Sequence, residues 1–317
     1  LGLARGRIAR HQIELARGIA RHDQLRARER DLAQMEHRFE RPHVGQRELE
    51  RVEGQQVAPA RIGQLGAVRL DRAGDLEADR AGLLEDLNAL PAQSIVVLHA
   101  CCHNPTGVDL SPQDWKDVLE VVKAKNLVPF LDMAYQGFGD GIDEDAAAVR
   151  LFAESGLTFF VSSSFSKSFS LYGERVGALS IVSSSKEESA RVLSQVKRVI
   201  RTNYSNPPTH GATIVAAVLN SPELRAQWEQ ELAQMRLRIR GMRTQMVDLL
   251  AKGAPEHDFS FVGRQRGMFS YSGLTVEQVT RLRNEFGIYA LDTGRICVAA
   301  LNQNNIHVVT QAILQVI

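Results

Sequence analysis

The sequence predicts an α/β domain built on a mostly parallel sheet, followed by a smaller α+β unit. Three observations predict it. Four apolar runs of strand length recur between residues 94 and 182, and helix-length segments separate the first three. From residue 186 to 252 the spacing turns helical. Beyond that, short strand and helix patterns alternate to the end of the chain. Alternating strand and helix is the pattern of a parallel sheet covered by helices.

In chain order, residues 1–82 stand apart. Residues 1–87 contain no Lys, Ser, Thr, Asn, Tyr, Cys or Trp and are crowded with Arg, Gln, Glu, Leu, Ala and Gly. Two of the usual turn formers, Ser and Asn, are therefore missing. Arg21 to Arg41 has the charge for a helix but no sustained apolar stripe to pack it. Three readings are open. An arginine-rich arm could bind nucleic acid, but interleaved acidic residues oppose that. An unusual domain is the second. The third is a stretch that is not the native beginning of the protein, such as a shifted or truncated reading frame in GC-rich DNA would yield. The third is the expectation, and with it a non-native or disordered segment that contributes nothing to a site.

The rest of the chain reads more regularly. Leu83 to Leu90 reads as the end of a helix. Ser94 to Ala100 is a continuous apolar run of the buried parallel kind. Ser111 then caps a helix that has Pro112 in its first turn and runs to about Lys125. A strand at Leu127–Leu131, a helix near Asp143–Glu154 and a strand at Thr158–Ser163 follow. The next run, Ala178–Val182, is joined by a loop alone, which leaves room for an antiparallel strand. Leu224–Leu250 is one long helix, with Leu232, Met235, Leu237, Ile239, Met242, Met246 and Leu249 marking its apolar face. Gly267–Ser272 reads as a strand and Thr275–Phe286 as a helix. Ile288–Leu291 and Ile296–Leu301 read as short strands, and Asn304–Ile317 as a final helix. The expected domains are 83–230 and 231–317.

Composition narrows the function classes. Net charge is +1 and 44% of the 317 residues are hydrophobic, which is ordinary for a globular protein and gives no reason to expect nucleic acid as a partner. No run of 18 apolar residues exists, so no membrane partner is expected. No charged-then-apolar leader opens the chain, and three cysteines make no disulfide framework, so a cytoplasmic location is expected. His99, Cys101, Cys102 and His103 look like metal ligands. A structural zinc site needs a second pair elsewhere, Cys297 stands alone, and no metal is expected. His99 is expected to pack rather than to ligate.

The chemistry gathers at the ends of the apolar runs. Ile95-Val96-Val97-Leu98 leads into His103-Asn104-Pro105-Thr106-Gly107, and Val128-Pro129-Phe130-Leu131 ends in Asp132, with Tyr135 following. Lys167 lies in Ser164-Phe165-Ser166-Lys167-Ser168-Phe169, eight residues before Arg175. A lysine, a strand-end aspartate, a tyrosine, an asparagine and a Ser/Arg pair suit pyridoxal phosphate: the lysine makes the Schiff base and the carboxylate holds the pyridinium nitrogen. Open α/β sheets bind ligands at that strand end.

On these motifs the stretch from about Leu83 to Ile317 resembles the class I aminotransferases, in the branch acting on aspartate and aromatic amino acids. The resemblance implies the pyridoxal-phosphate transferase fold of type I, with a large domain, incomplete here, and a small C-terminal one. It implies Lys167 as the catalytic lysine, Asp132 at the pyridinium nitrogen, and Asn104 and Tyr135 at the phenolic oxygen. Ser164, Ser166 and Arg175 correspond to phosphate contacts. Arg295 matches the arginine that clamps the substrate α-carboxylate, where Asn104 also lies. Arg201 matches the one that reaches the neighbouring subunit's substrate, so a homodimer is implied. Amino acids and 2-oxo acids such as 2-oxoglutarate are the implied substrates. Phe169-Ser170-Leu171-Tyr172-Gly173-Glu174-Arg175 and Gln265-Arg266-Gly267-Met268-Phe269-Ser270-Tyr271 look more like the aromatic members than the strict aspartate ones. Residues 1–82 carry neither the Gly-rich phosphate loop nor the stacking aromatic of the family. The alternative is therefore a truncated, catalytically incompetent fragment. A carbon–sulfur lyase on the same fold is a third reading, opposed by the pair Arg201 and Arg295.

Overall fold

A computed structural model describes residues 79–317. The charged stretch Arg21–Arg41, and nearly all of the segment 1–82, lie outside the described residues. Helix α1 spans Arg80–Ala89 and ends within the stretch Leu83–Leu90 that reads as a helix end. Its start is set by Asp79, whose side chain accepts the Gly82 N–H at 2.8 Å. Strand β1 is Ile95–His99, and α2 is Pro112–Ala124. As the sequence predicts, Ser111 caps α2; its hydroxyl and the Asp114 carboxylate exchange hydrogen bonds with each other's backbone. Strand β2 (Val128–Met133), α3 (Ala147–Glu154), β3 (Phe159–Ser164) and β4 (Gly177–Val182) complete the first layer.

The sheet order is β1-β2-β3-β4. The first three strands are parallel, and β4 runs antiparallel to β3, joined to it by a loop with no α-helix. One face packs on α1, α2 and α3. Leu87, Val96, Val118, Val122, Leu131, Phe152 and Phe159 form its core. Phe152 joins the layers, meeting Trp115 edge-on at 6.2 Å and Phe159 at 5.9 Å.

Three helices follow: α4 (Lys186–Tyr204), α5 (His210–Asn220) and α6 (Pro222–Gly253). A short α7 (Ser260–Arg264) was not expected. Strand β5 (Phe269–Tyr271), α8 (Val276–Phe286), β6 (Arg295–Cys297) and α9 (Ile306–Val316) end the chain. A second core joins Leu232, Ile239, Met242, Met246 and Leu250 of α6 to Val279, Leu282, Ile306 and Ile313.

Three expectations need correction. Ile288–Leu291 forms no strand: Tyr289 is 81% exposed, and among the described residues no strand ladder includes the segment. The strand read at Ile296–Leu301 stops at Cys297, because Val298–Ala300 coils into a 3-10 turn that buries Val298. Leu237 is 59% exposed and leaves the apolar face of α6. In its place the helix buries Arg243, whose guanidinium donates to the carbonyls of Val262, Gly267 and Phe269. Burial lowers the Arg243 pKa to about 10.

Candidate active site

The parallel register puts the C-terminal ends of β1, β2 and β3 side by side, with His99 opposite Asp132 and Asp132 opposite Ser162. Asn104 follows β1, Tyr135 follows β2 and Lys167 follows β3, so all three rise from one edge of the sheet. Because β4 is antiparallel, Arg175 enters at that same edge.

A loop contact brings in the distant arginine. Gly107 has φ +75°, and a side chain there would meet the Phe269 carbonyl at 2.6 Å. The Gly107 carbonyl accepts the Arg266 N–H at 2.7 Å, and the Thr106 carbonyl accepts the Tyr271 N–H at 3.2 Å. The Asn-Pro-Thr-Gly loop is thus bound to β5, which pairs with the β6 strand that begins at Arg295. Arg295 Nη1 donates to Asn104 Oδ1 at 3.0 Å, and Asn104 Nδ2 donates to the Tyr135 hydroxyl at 3.2 Å. The Lys167 amine stands over the Tyr135 ring, 4.4 Å from its centre. Phe269 fills the remaining side, 4.5 Å under the Arg295 guanidinium and edge-on to Tyr135 at 6.1 Å.

Electrostatics follow from this packing. Burial raises the Tyr135 phenol above its ordinary value, against the opposing pull of the Asn104 amide and Arg295. Ser162 donates to Asp132 Oδ1 at 2.9 Å. His103 lies edge-on to His99 at 4.9 Å, and burial, with His99 beside it, lowers the His103 pKa to about 4. Ser166 is buried, and its N–H donates to Ser164 Oγ at 3.2 Å. Arg175 is exposed, with one N–H on the Tyr172 carbonyl at 3.1 Å.

The structure therefore gathers Asn104, Asp132, Tyr135, Lys167 and Arg295, with Ser164, Ser166 and Arg175 along the same edge. Arg201 is not among them. It is exposed in the last turn of α4 and donates to Ser205 Oγ at 2.8 Å. The sequence reading missed Ser162 and the stacking role of Phe269. Ser162 could have been found from strand register; the Phe269 contact needs the tertiary fold. The suspected metal cluster divides in two: His99 and His103 pack edge-on to each other, and Cys101 and Cys102 come together beside Asp145. The Asp145 carboxylate already accepts the N–H groups of Gly137, Gly139 and Asp140. Contact with Cys101 and burial push the Cys102 thiol well above its ordinary pKa. These groups read as the packing of the loop after Tyr135.

A family model for aminotransferase class I and II matches residues 56–313. The chain belongs to that family. The match begins before Leu83, where the resemblance was first legible. Aspartate aminotransferase of Pseudomonas aeruginosa is 77% identical over 234 residues, covering 74% of this chain and 59% of its own length. Aromatic-amino-acid aminotransferase of Escherichia coli is 54% identical over 229 residues, covering 72% of this chain and 58% of its own. Among solved structures, the Burkholderia pseudomallei aromatic-amino-acid aminotransferase covalently bound to pyridoxal phosphate matches with TM-score 0.75 and 68% identity, over 76% of this chain and 60% of that one. The chain thus spans about three fifths of the length of these class I and II aminotransferases. Among the described residues, no helix is long and apolar enough to cross a membrane.

Proposed function

We propose that this site serves pyridoxal-phosphate-dependent transamination, moving an amino group between an aromatic amino acid or aspartate and 2-oxoglutarate. The observation that carries the reading is the chain of contacts Arg295–Asn104–Tyr135–Lys167. It sets a carboxylate clamp, two groups for a phenolic oxygen and a primary amine around one space. His99 supports the fit: its Nδ1 is buried and has no hydrogen-bond partner among the described residues. The cofactor, when bound, supplies an electron sink for the substrate α-carbon.

The residues divide the remaining work. Lys167 is the attachment point, and its amine moves the proton at the substrate α-carbon. Asp132, oriented by Ser162, keeps a positive charge on the pyridine nitrogen. Asn104 and Tyr135 hold the phenolic oxygen. Arg295 takes the α-carboxylate in a bidentate pair, steadied by Phe269 beneath it. Ser164, Ser166 and Arg175 receive the phosphate. Arg201 reaches the side-chain carboxylate in a partner subunit's site, which makes the working form a homodimer. Its exposure on α4, a helix with no buried residue, supports that. The three free cysteines suit the cytoplasm. The domain division proposed is 83–230 and 231–317, with the family match reaching back to residue 56.

Pyridoxal phosphate and borohydride, followed by peptide mapping, test the reading: the label belongs on Lys167 and disappears in Lys167→Ala. Label on another lysine sinks the assignment. Steady-state rates with aspartate, tyrosine and phenylalanine then decide the substrate range, and activity on aspartate alone rejects the aromatic part.

A further inference from the structure

The backbone around Lys167 is held from two sides. Upstream, the Phe165 N–H donates to the Val176 carbonyl at 3.2 Å, a link between neighbouring strands. Within the loop, the Phe169 N–H reaches the Phe165 carbonyl at 3.2 Å and the Ser170 N–H the Lys167 carbonyl at 3.1 Å. These contacts shape the turn but do not tie it to the rest of the molecule. Downstream, one side chain does. The Trp228 indole N–H donates to the Ser168 carbonyl at 2.7 Å. The same indole stacks on Phe169, with ring centres 4.5 Å apart and planes at 22°. Phe169 in turn receives Phe165 edge-on at 5.5 Å.

Trp228 lies on α6, four residues before Leu232, which is fully buried in the second core. The two residues that follow Lys167 are therefore pinned to a different layer of the fold by two contacts of different chemistry. A phenylalanine could supply the stack but not the donor, and an aliphatic residue neither. Stacking fixes the plane of Phe169, and the hydrogen bond fixes the height of the Ser168 peptide. Together they leave the Lys167 Cα little freedom.

We propose that Trp228 is the positioning residue of the Lys167 loop: it anchors Ser168 and Phe169 and so sets where the Lys167 amine stands over Tyr135. The functional consequence rests on the reading of Lys167 as the cofactor lysine; the anchoring itself does not.

The test uses the full chain with Trp228→Phe and Trp228→Leu. In Trp228→Leu, amide hydrogen exchange across residues 165–170 rises about tenfold, the combined effect of a lost stack and a lost hydrogen bond. Exchange at Val118–Val122 stays at the parent rate. Trp228→Phe falls between the two. Borohydride trapping of pyridoxal phosphate at Lys167 slows in the same order, while label at the exposed Lys186 and Lys197 is unchanged. Equal exchange at 165–170 in all three proteins overturns the proposal. So does a rise spread evenly over the chain in Trp228→Phe, which would mark the indole as general packing. A parent that takes no label at Lys167 defeats the proposed function, and the exchange comparison still decides whether Trp228 holds the loop.

Discussion

The two faces of the four-stranded sheet are built from alternate residues of the same strands, yet they are used differently. On one face Val96, Leu98, Leu131, Phe159 and Val161 lie between 0 and 6% exposed, under α1, α2 and α3. On the other, register aligns Val97 with Phe130, Phe160 and Ile181, and His99 with Asp132, Ser162 and Leu179. None of these eight is fully buried, and Val97 and Leu179 are each 53% exposed. The covered face carries the packing; the open face carries the row of polar residues that leads into the site. A strand of period two lets one segment do both jobs, because neighbours in sequence point to opposite sides.

Substitutions on the two faces should separate these roles, and the largest effect belongs to the covered face. Phe159→Ala removes a ring that is fully buried against Phe152, and should cost about 3–5 kcal/mol of unfolding free energy. Urea denaturation measures it, and a loss below about 1 kcal/mol would mean that this face is not the packed one.

An intermediate effect belongs to the loop that joins the open face to the site. The His103 pKa is lowered to about 4 from 6.5, so the unfolded chain binds more protons between those values. Stability from this group is present above pH 6.5 and is lost as pH falls toward 4. Asp109, whose carboxylate accepts the His103 N–H, is raised by burial and acts in the opposite sense. His103→Asn should flatten the fall in stability over that window by up to about 3 kcal/mol. An unchanged pH profile would remove His103 from the account.

The smallest effect belongs to the open face itself: Val97→Ser should change stability by no more than about 0.5 kcal/mol. A loss as large as that of Phe159→Ala would erase the distinction.

Much of this was legible beforehand. The strand-end placement of Asn104, Asp132 and Lys167 follows from apolar runs that stop where polar residues begin. Ser111 and Pro112 announced α2 by their capping chemistry. Where the reading failed, local pattern had no information. Tyr289 and Leu291 have strand-like neighbours but no partner strand among the described residues. Arg243 is charged yet buried, because four residues far along the chain supply acceptors. The contact between Asn104 and Arg295 spans 191 residues, and no local spacing encodes it.

The central claim is that adjacent residues of β2 serve opposite faces, and Leu131 and Asp132 test it directly. Leu131→Ala and Asp132→Ala are each measured for urea stability and for transamination at saturating pyridoxal phosphate, in a chain that transaminates. Leu131→Ala should lose about 2–5 kcal/mol of stability and keep its rate within a few-fold while folded. Asp132→Ala should change stability by about 1 kcal/mol or less and lose orders of magnitude in rate. Two variants that lose stability and rate in the same proportion would contradict the account.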